Sequence, residues 1–234
     1  MFDQQGRQKK AVTMICVLSD FIDTPLSDLT LLNVGCSTGI IDEYLSRFFK
    51  NVVCIDIDDN AINFANNNFK KDNLSFEICD AMNLKFESST FDVVVCSQVY
   101  EHVSDANILM EEIFRVLKPE GLVYFSAGNK LMYIEPHYNL PLLSVLPLSV
   151  ANLYLKATGK GEFYYEQHLT YWGLKKLVSS FEIFDYTIKI LKNPDKYRAT
   201  YMIRKGSLKH NLSKLLAKYM IWLIPGYVWL LQKH

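Results

Sequence analysis

Leu31-Leu32-Asn33-Val34-Gly35-Cys36-Ser37-Thr38-Gly39 is an apolar strand that runs directly into glycines and hydroxyls, and such a turn brings backbone close to a ligand. Gly35 and Gly39 lack a β-carbon, so the chain can take left-handed geometry there and leave amide N–H groups pointing at a guest. Seventeen residues past Gly39, Asp56 ends a second apolar run, Asn51-Val52-Val53-Cys54-Ile55. Neighbouring strands would set its carboxylate beside the turn. A carboxylate in that place accepts from the 2′ and 3′ hydroxyls of a ribose, as the acid of dinucleotide-binding folds does. The pair predicts a nucleoside-like cofactor. A dinucleotide fingerprint needs glycine at its first, third and sixth places, which here hold Gly35, Ser37 and Ile40. No third glycine brings the following helix against a pyrophosphate, so a nicotinamide dinucleotide is disfavoured.

Four further segments follow the turn in order: Val52 to Ile57; Cys79-Asp80-Ala81; Phe91-Asp92-Val93-Val94-Val95-Cys96-Ser97-Gln98; and Val116-Leu117-Lys118-Pro119-Glu120-Gly121. Together the five resemble the motifs of the class I S-adenosylmethionine-dependent methyltransferases, the type 11 group in particular. The resemblance covers residues 30–126. It implies that Asn33, Gly35, Cys36, Ser37 and Gly39 form the turn around S-adenosyl-L-methionine and that Asp56 holds its ribose. It also implies that Ile57 packs on the adenine, that Asp80 and Ala81 recognise the ring, and that Ser97 lies beside the reactive sulfonium. Two positions depart from the family pattern: Asn33 stands where an acid is usual and Ser37 where glycine is usual. Loss of that negative charge weakens a hydrogen bond to the cofactor's amino group, since a charged bond is about twice as strong as a neutral one. A non-catalytic S-adenosylmethionine-binding module or sensor therefore stands as the alternative to a methyltransferase.

With 234 residues, half of them hydrophobic, the chain can bury a full core in one domain. Lys plus Arg equals Asp plus Glu at 25 each, so no overall field recruits nucleic acid, which is not an expected partner. The five cysteines have no Cys-x-x-Cys spacing and three of them end or occupy apolar strand segments. They read as small buried hydrophobes in a reducing cytoplasm. Met1 to Lys10 is polar and lacks an apolar signal core.

Along the chain, a leading helix is expected over 11–22, and strands near 31–34, 51–56, 74–78, 91–96 and 121–126 alternate with helical patterns. That alternation predicts an α/β fold with a parallel sheet covered on both faces. The clearest helix follows Ser104 as N-cap, with Leu109, Met110, Ile113 and Phe114 at three-and-four spacing. After Ser126 the alternation lapses for more than fifty residues. A helix capped by Thr170 and strands at Phe184 to Leu191 and Tyr227 to Leu231 follow. By resemblance these two strands complete a Rossmann-like, seven-stranded, mostly parallel sheet whose last strand is antiparallel, with an insertion between strands 5 and 6. The expected organisation is a single domain over 1–234, comprising a cofactor-binding half (1–126), a lid and acceptor insertion (127–182) and C-terminal strands and helix (183–234).

Methyl transfer from a sulfonium is an in-line displacement, so the protein mainly holds an acceptor atom about 3 Å behind the methyl group. An alcohol acceptor adds the need for a base. His102, Glu135, His137, Tyr138, Tyr165 and His168 are the nearby choices, with His137 and His168 the expected catalytic residues; Glu101-His102 reads as structural. Oxygen is the favoured acceptor atom. Tyr138 to Leu155 has one formal charge-free run rich in leucine, interrupted by Pro141 and Pro147, which makes it a poor membrane span. It reads as lid packing or, more sharply, as an apolar channel for a small-molecule, lipid or lipid-linked sugar acceptor, with peripheral membrane contact by an otherwise cytoplasmic protein. No metal site is expected, because the histidines lie far apart in sequence without cysteine partners. The pattern sets no oligomeric state.

Overall fold

In the computed structural model, which describes residues 3–234, Thr30–Val34 forms β1. Strand side chains alternate between faces, and both faces of β1 are covered. Leu31 packs with residues of α1 (Gln4–Ser19), α2 (Ile40–Leu45) and α3 (Asp59–Asn68), whereas Leu32 and Val34 pack with α4 (Ala106–Val116) and α6 (Tyr171–Leu177). Such double coverage is why the parallel strands read as near-continuous apolar runs.

β2 (Asn51–Asp56) and β4 (Phe91–Ser97) flank β1 in parallel, with β3 (Leu74–Ile78) outside β2 and β5 (Leu117–Gly128) outside β4. With β8 (Glu182–Asp185) and β9 (Gly226–Gln232) the sheet order is β3-β2-β1-β4-β5-β9-β8. Only β9 is reversed, antiparallel to both β5 and β8. This is the Rossmann-like seven-stranded sheet that the resemblance implies. The order changes direction between β1 and β4, and the crevice outside the carboxyl ends of these strands is where such sheets bind ligands.

Residues 129–181 are inserted between β5 and β8. They hold a small hairpin of β6 (Ile134–Glu135) and β7 (Leu140–Pro141), then α5 (Leu148–Thr158) and α6. Leu140, Leu143, Ala151, Leu155 and Tyr164 make a core of its own. The insertion is tied down where β4 and β5 end. Tyr100 Oη donates to the Gly128 carbonyl (2.6 Å) and accepts from the Leu169 N–H (3.2 Å). The Gln167 N–H donates to the Glu101 carbonyl at 2.9 Å, and the Lys130 N–H to that of Leu169 at 2.8 Å. The leucine-rich stretch from Tyr138 is broken as its prolines predict, since Pro147 is the N-cap of α5. Among the described residues no helix is long and apolar enough to cross a membrane.

Three local expectations are corrected by capping chemistry. The leading helix is Gln4–Ser19 rather than 11–22, because the Asp3 carboxylate accepts from the Gly6 N–H and starts the helix in polar residues before its apolar face begins at Ala11. The cap of α4 is Asp105, which accepts from the Asn107 N–H, and not Ser104. The expected strand at Phe184 to Leu191 ends at Asp185, whose carboxylate accepts from the Thr187 and Ile188 N–H groups and opens α7 (Tyr186–Lys192). Thr187, Ile188 and Ile190 have strand-like composition, but the cap and the buried helix face prevail. The Thr170 cap of α6 forms as expected, accepting from the Gly173 N–H.

Candidate active site

The turn after β1 is held by its own neighbours. The Gly35 and Cys36 N–H groups both donate to the Ile55 carbonyl, at 2.9 and 3.0 Å, and the Ser37 N–H donates to Asp56 Oδ2 at 2.7 Å. These amides therefore do not point at a guest, which corrects the expectation from sequence. Their effect is indirect, because they clamp β1 to β2 and aim the Asp56 carboxylate. The Asp58 N–H donates to its Oδ1 at 3.0 Å. A carboxylate has about four acceptor sites, so two lone pairs remain for hydroxyls. Gly35 has φ +74, and a Cβ there would stand 2.6 Å from Val99 Cγ2; glycine is required both by backbone conformation and by close approach.

Around this turn opens a cleft of about 730 Å³. Asn33, Gly35, Cys36, Ser37, Asp56, Ile57, Asp80, Ala81 and Ser97 all line it. Gly39 does not. It caps α2 with φ +74, and a Cβ on it would meet the Phe76 ring at 2.5 Å, so it serves helix–sheet packing. Ile57 is 74% exposed, an apolar surface presented at the rim beside Asp56. Asp80 Oδ1 accepts from the Met82 N–H at 2.9 Å, which fixes the carboxylate over the same wall. Asn33 Nδ2 donates to Asp42 Oδ1 at 2.6 Å. Burial raises the Asp42 carboxyl to about 6 against the lowering effect of that hydrogen bond.

A second cleft, of about 780 Å³, opens between the insertion and α4. Val103 and Ser104 border both clefts. Near that junction the fold gathers three of the five histidines. His102 lines the first cleft; Glu166 and His168 line the second. His137 lies beside both rings, its centroid 4.9 Å from that of His102 and 6.3 Å from that of His168. His137 Nδ1 is 2.6 Å from Glu135 Oε1. His168 Nε2 stands 3.5 Å from the same oxygen, with its side chain only 1% exposed. Burial alone would raise the Glu135 carboxyl, but hydrogen bonds from His137, His168 and the Tyr138 N–H bring it down to about 2. The hydrogen bond to Glu135 raises His137, whereas burial, then the charge of His137, lowers His102. Burial raises Glu101. Histidines far apart in sequence thus meet in the fold: the insertion returns to β4, and sequence separation says nothing about that return.

Residues 32–125 match the methyltransferase domain family. The mitochondrial ubiquinone biosynthesis O-methyltransferase of Bos taurus is 35% identical over 112 residues, covering 45% of this chain and 30% of its own. The ubiquinone biosynthesis O-methyltransferase of Bartonella tribocorum is 31% identical over 108 residues, covering 45% of this chain and 44% of its own. Over residues 32–125 the chain is thus similar to methyltransferase domains. It spans less than half the length of these curated relatives. The fold agrees along nearly its whole length with that of an S-adenosylmethionine-dependent methyltransferase from Mesorhizobium loti, at TM-score 0.62 and 15% identity, covering 96% of this chain and 100% of the other.

Four of the five segments that carried the resemblance converge on one cleft, though Gly39 does not line it; Val116 to Gly121, where α4 passes into β5, lies outside it. Two groups of residues escaped the sequence reading. Asp3, Gly6, Arg7, Lys10 and Met14 line the cleft from α1, and Arg7 Nη2 reaches Ser37 Oγ at 3.4 Å. No spacing rule marks a leading helix as part of a site. The other is Glu166 beside the histidines, whereas Glu135 stood among the candidate bases and Glu101 was read as structural. The signal was there in three pairs, Glu101-His102, Glu135-Pro136-His137 and Glu166-Gln167-His168, of which the last two share one spacing.

Proposed function

We propose that the protein transfers a methyl group from S-adenosylmethionine to an oxygen of a small apolar or lipid-linked acceptor. One observation carries the reading: Asp56, its two oxygens oriented by the Ser37 and Asp58 N–H groups, faces a cleft with the exposed Ile57 at its rim. The cleft fits an adenosine, because a diol acceptor, an apolar flank and a glycine whose Cβ would crowd the wall adjoin one another. Asp56 would accept from the ribose, Ile57 and Ala81 would flank the adenine, and Asp80 would meet its edge. Arg7 and Lys10 supply positive charge for a carboxylate at the α1 side, where Asn33, Gly35, Cys36 and Ser37 also lie; Ser97 ends β4 nearby. When bound, the cofactor supplies an electrophilic methyl on sulfur.

The chain's own part is then positioning and proton removal. The second cleft would hold the acceptor, since it meets the first at Val103 and Ser104. His137 has Nδ1 engaged by Glu135, which leaves Nε2 to take a hydroxyl proton; His168, buried on the same carboxylate, would steady that arrangement. An apolar acceptor suits the exposed side chains of the insertion, among them Leu142, Val145, Leu148, Val150, Leu153 and Phe163. Contact with a membrane surface is favoured by α8 (Leu208–Tyr219), which exposes Leu208, Leu212, Leu215 and Tyr219 on one stripe together with Lys209, Lys214 and Lys218. The whole chain with methyl-labelled S-adenosylmethionine and cell extract, with and without anionic vesicles, tests the reading. Label should enter the solvent-extracted apolar fraction and rise with vesicles; label in no fraction of any extract would favour the non-catalytic binding module.

A further inference from the structure

His102, His137 and Glu166 each bring one donor atom within 4.8 Å of the others, and Glu135, His137 and His168 do the same. The two groups share His137, and their chemistry differs. Around an ion bound at about 2.1 Å, neighbouring donor atoms stand roughly 3.0–3.4 Å apart. The 2.6 Å between His137 Nδ1 and Glu135 Oε1 is too short for that and is a direct hydrogen bond. Glu135 is therefore the carboxylate behind the ring. It fixes the orientation of His137 and leaves Nε2 as a ligand, an arrangement common behind metal-bound histidines. The first group faces outward at the junction of the two clefts, with His102 and His137 open to solvent and Glu166 partly so.

A second observation points to a missing cation. Both oxygens of Glu101, one of Glu166 and Nδ1 of His168 are buried with no hydrogen-bond partner, and Glu101 is fully buried. Buried carboxylates and imidazoles without partners are costly, and here they surround the same three rings. A divalent ion among them offsets that burden.

We propose that His102, His137 and Glu166 bind one divalent transition-metal ion at the junction of the two clefts, with Glu135 as the positioning residue behind His137. Two imidazoles, one carboxylate and no thiolate suit Zn²⁺ or a similar first-row ion, and leave coordination positions open to water or an oxygen ligand. That this oxygen belongs to the methyl acceptor, whose hydroxyl the ion would make more acidic, rests on the proposed methyl transfer, with the ion then taking the place of His137 Nε2 as base and the proton passing to solvent; binding of the ion does not rest on it.

The test uses the full chain stripped with chelator and dialysed against Zn²⁺ or Co²⁺, without any cofactor. One ion per chain is expected, with visible ligand-field absorption for Co²⁺. His102→Ala, His137→Ala and Glu166→Gln should each weaken binding at least tenfold, and Glu135→Gln should weaken it roughly 10–100-fold, as loss of a partner behind a ligand does. His234→Gln, at the far end of the chain, should leave it unchanged. If His137→Ala does not fold, the exposed His102→Ala answers the same question. No bound ion, or an ion whose affinity ignores these residues, overturns the proposal. S-adenosylhomocysteine binding, titrated on the same metal-free samples, reports the cofactor site separately, so a failure of one site is distinguishable from a failure of the other.

Discussion

At the residue scale, Asn33 and Asp42 explain how a departure from the family pattern is accommodated. The negative charge usual at position 33 is found nine residues later, at Asp42 on α2, and Asn33 donates to it across 2.6 Å. An acid at 33 would face a second buried acid, so the amide is the partner this core needs. The Asp42 carboxyl is raised by burial to about 6 from 3.8. An acid raised in the folded state stabilises the fold fully below its unfolded pKa, and that contribution is lost as the pH rises through the folded one. Asp42→Asn, which keeps an acceptor for Asn33, should therefore match the wild type near pH 4 and exceed its stability by about 1–3 kcal/mol at pH 8. Urea titrations of both proteins at the two pH values check this; an advantage greater at pH 4 than at pH 8 would show the sign to be wrong.

At the element scale, strands β1 and β2 were legible because their apolar runs end in glycine or acid, as at Val34-Gly35 and Ile55-Asp56. What was not legible came from single side chains that outweigh composition. Asp185 converts a β-branched run into α7 by accepting two N–H bonds, and Asp3 draws α1 back over the cleft, where Arg7 meets the turn. Asp185→Ala should lower stability by about 1 kcal/mol, the usual worth of such a cap, measured as a fall in urea midpoint at unchanged slope. A change below a few tenths would mean that packing of Tyr186 and Ile190 alone sets the helix. The site followed the same division. Residues adjacent to strand ends could be placed from sequence, whereas those brought in by α1 and by the insertion depend on long-range return of the chain.

At the scale of the whole molecule, the crevice at the strand-order reversal, the second cleft beside it and the histidines between them form one continuous region on the carboxyl side of the sheet. The sheet fixes the cofactor half, and the insertion, anchored through Tyr100 and Glu101, brings the acceptor half to it. Everything downstream depends on Asp56 holding a ribose in the first cleft. Calorimetric titration of the full chain with S-adenosylhomocysteine tests this most directly. One molecule per chain should bind, and Asp56→Ala should weaken it by about 10–100-fold, the loss of hydrogen bonds to a charged acceptor. Equal affinity in the two proteins, or tighter binding of NAD than of the sulfur nucleoside, would contradict the assignment.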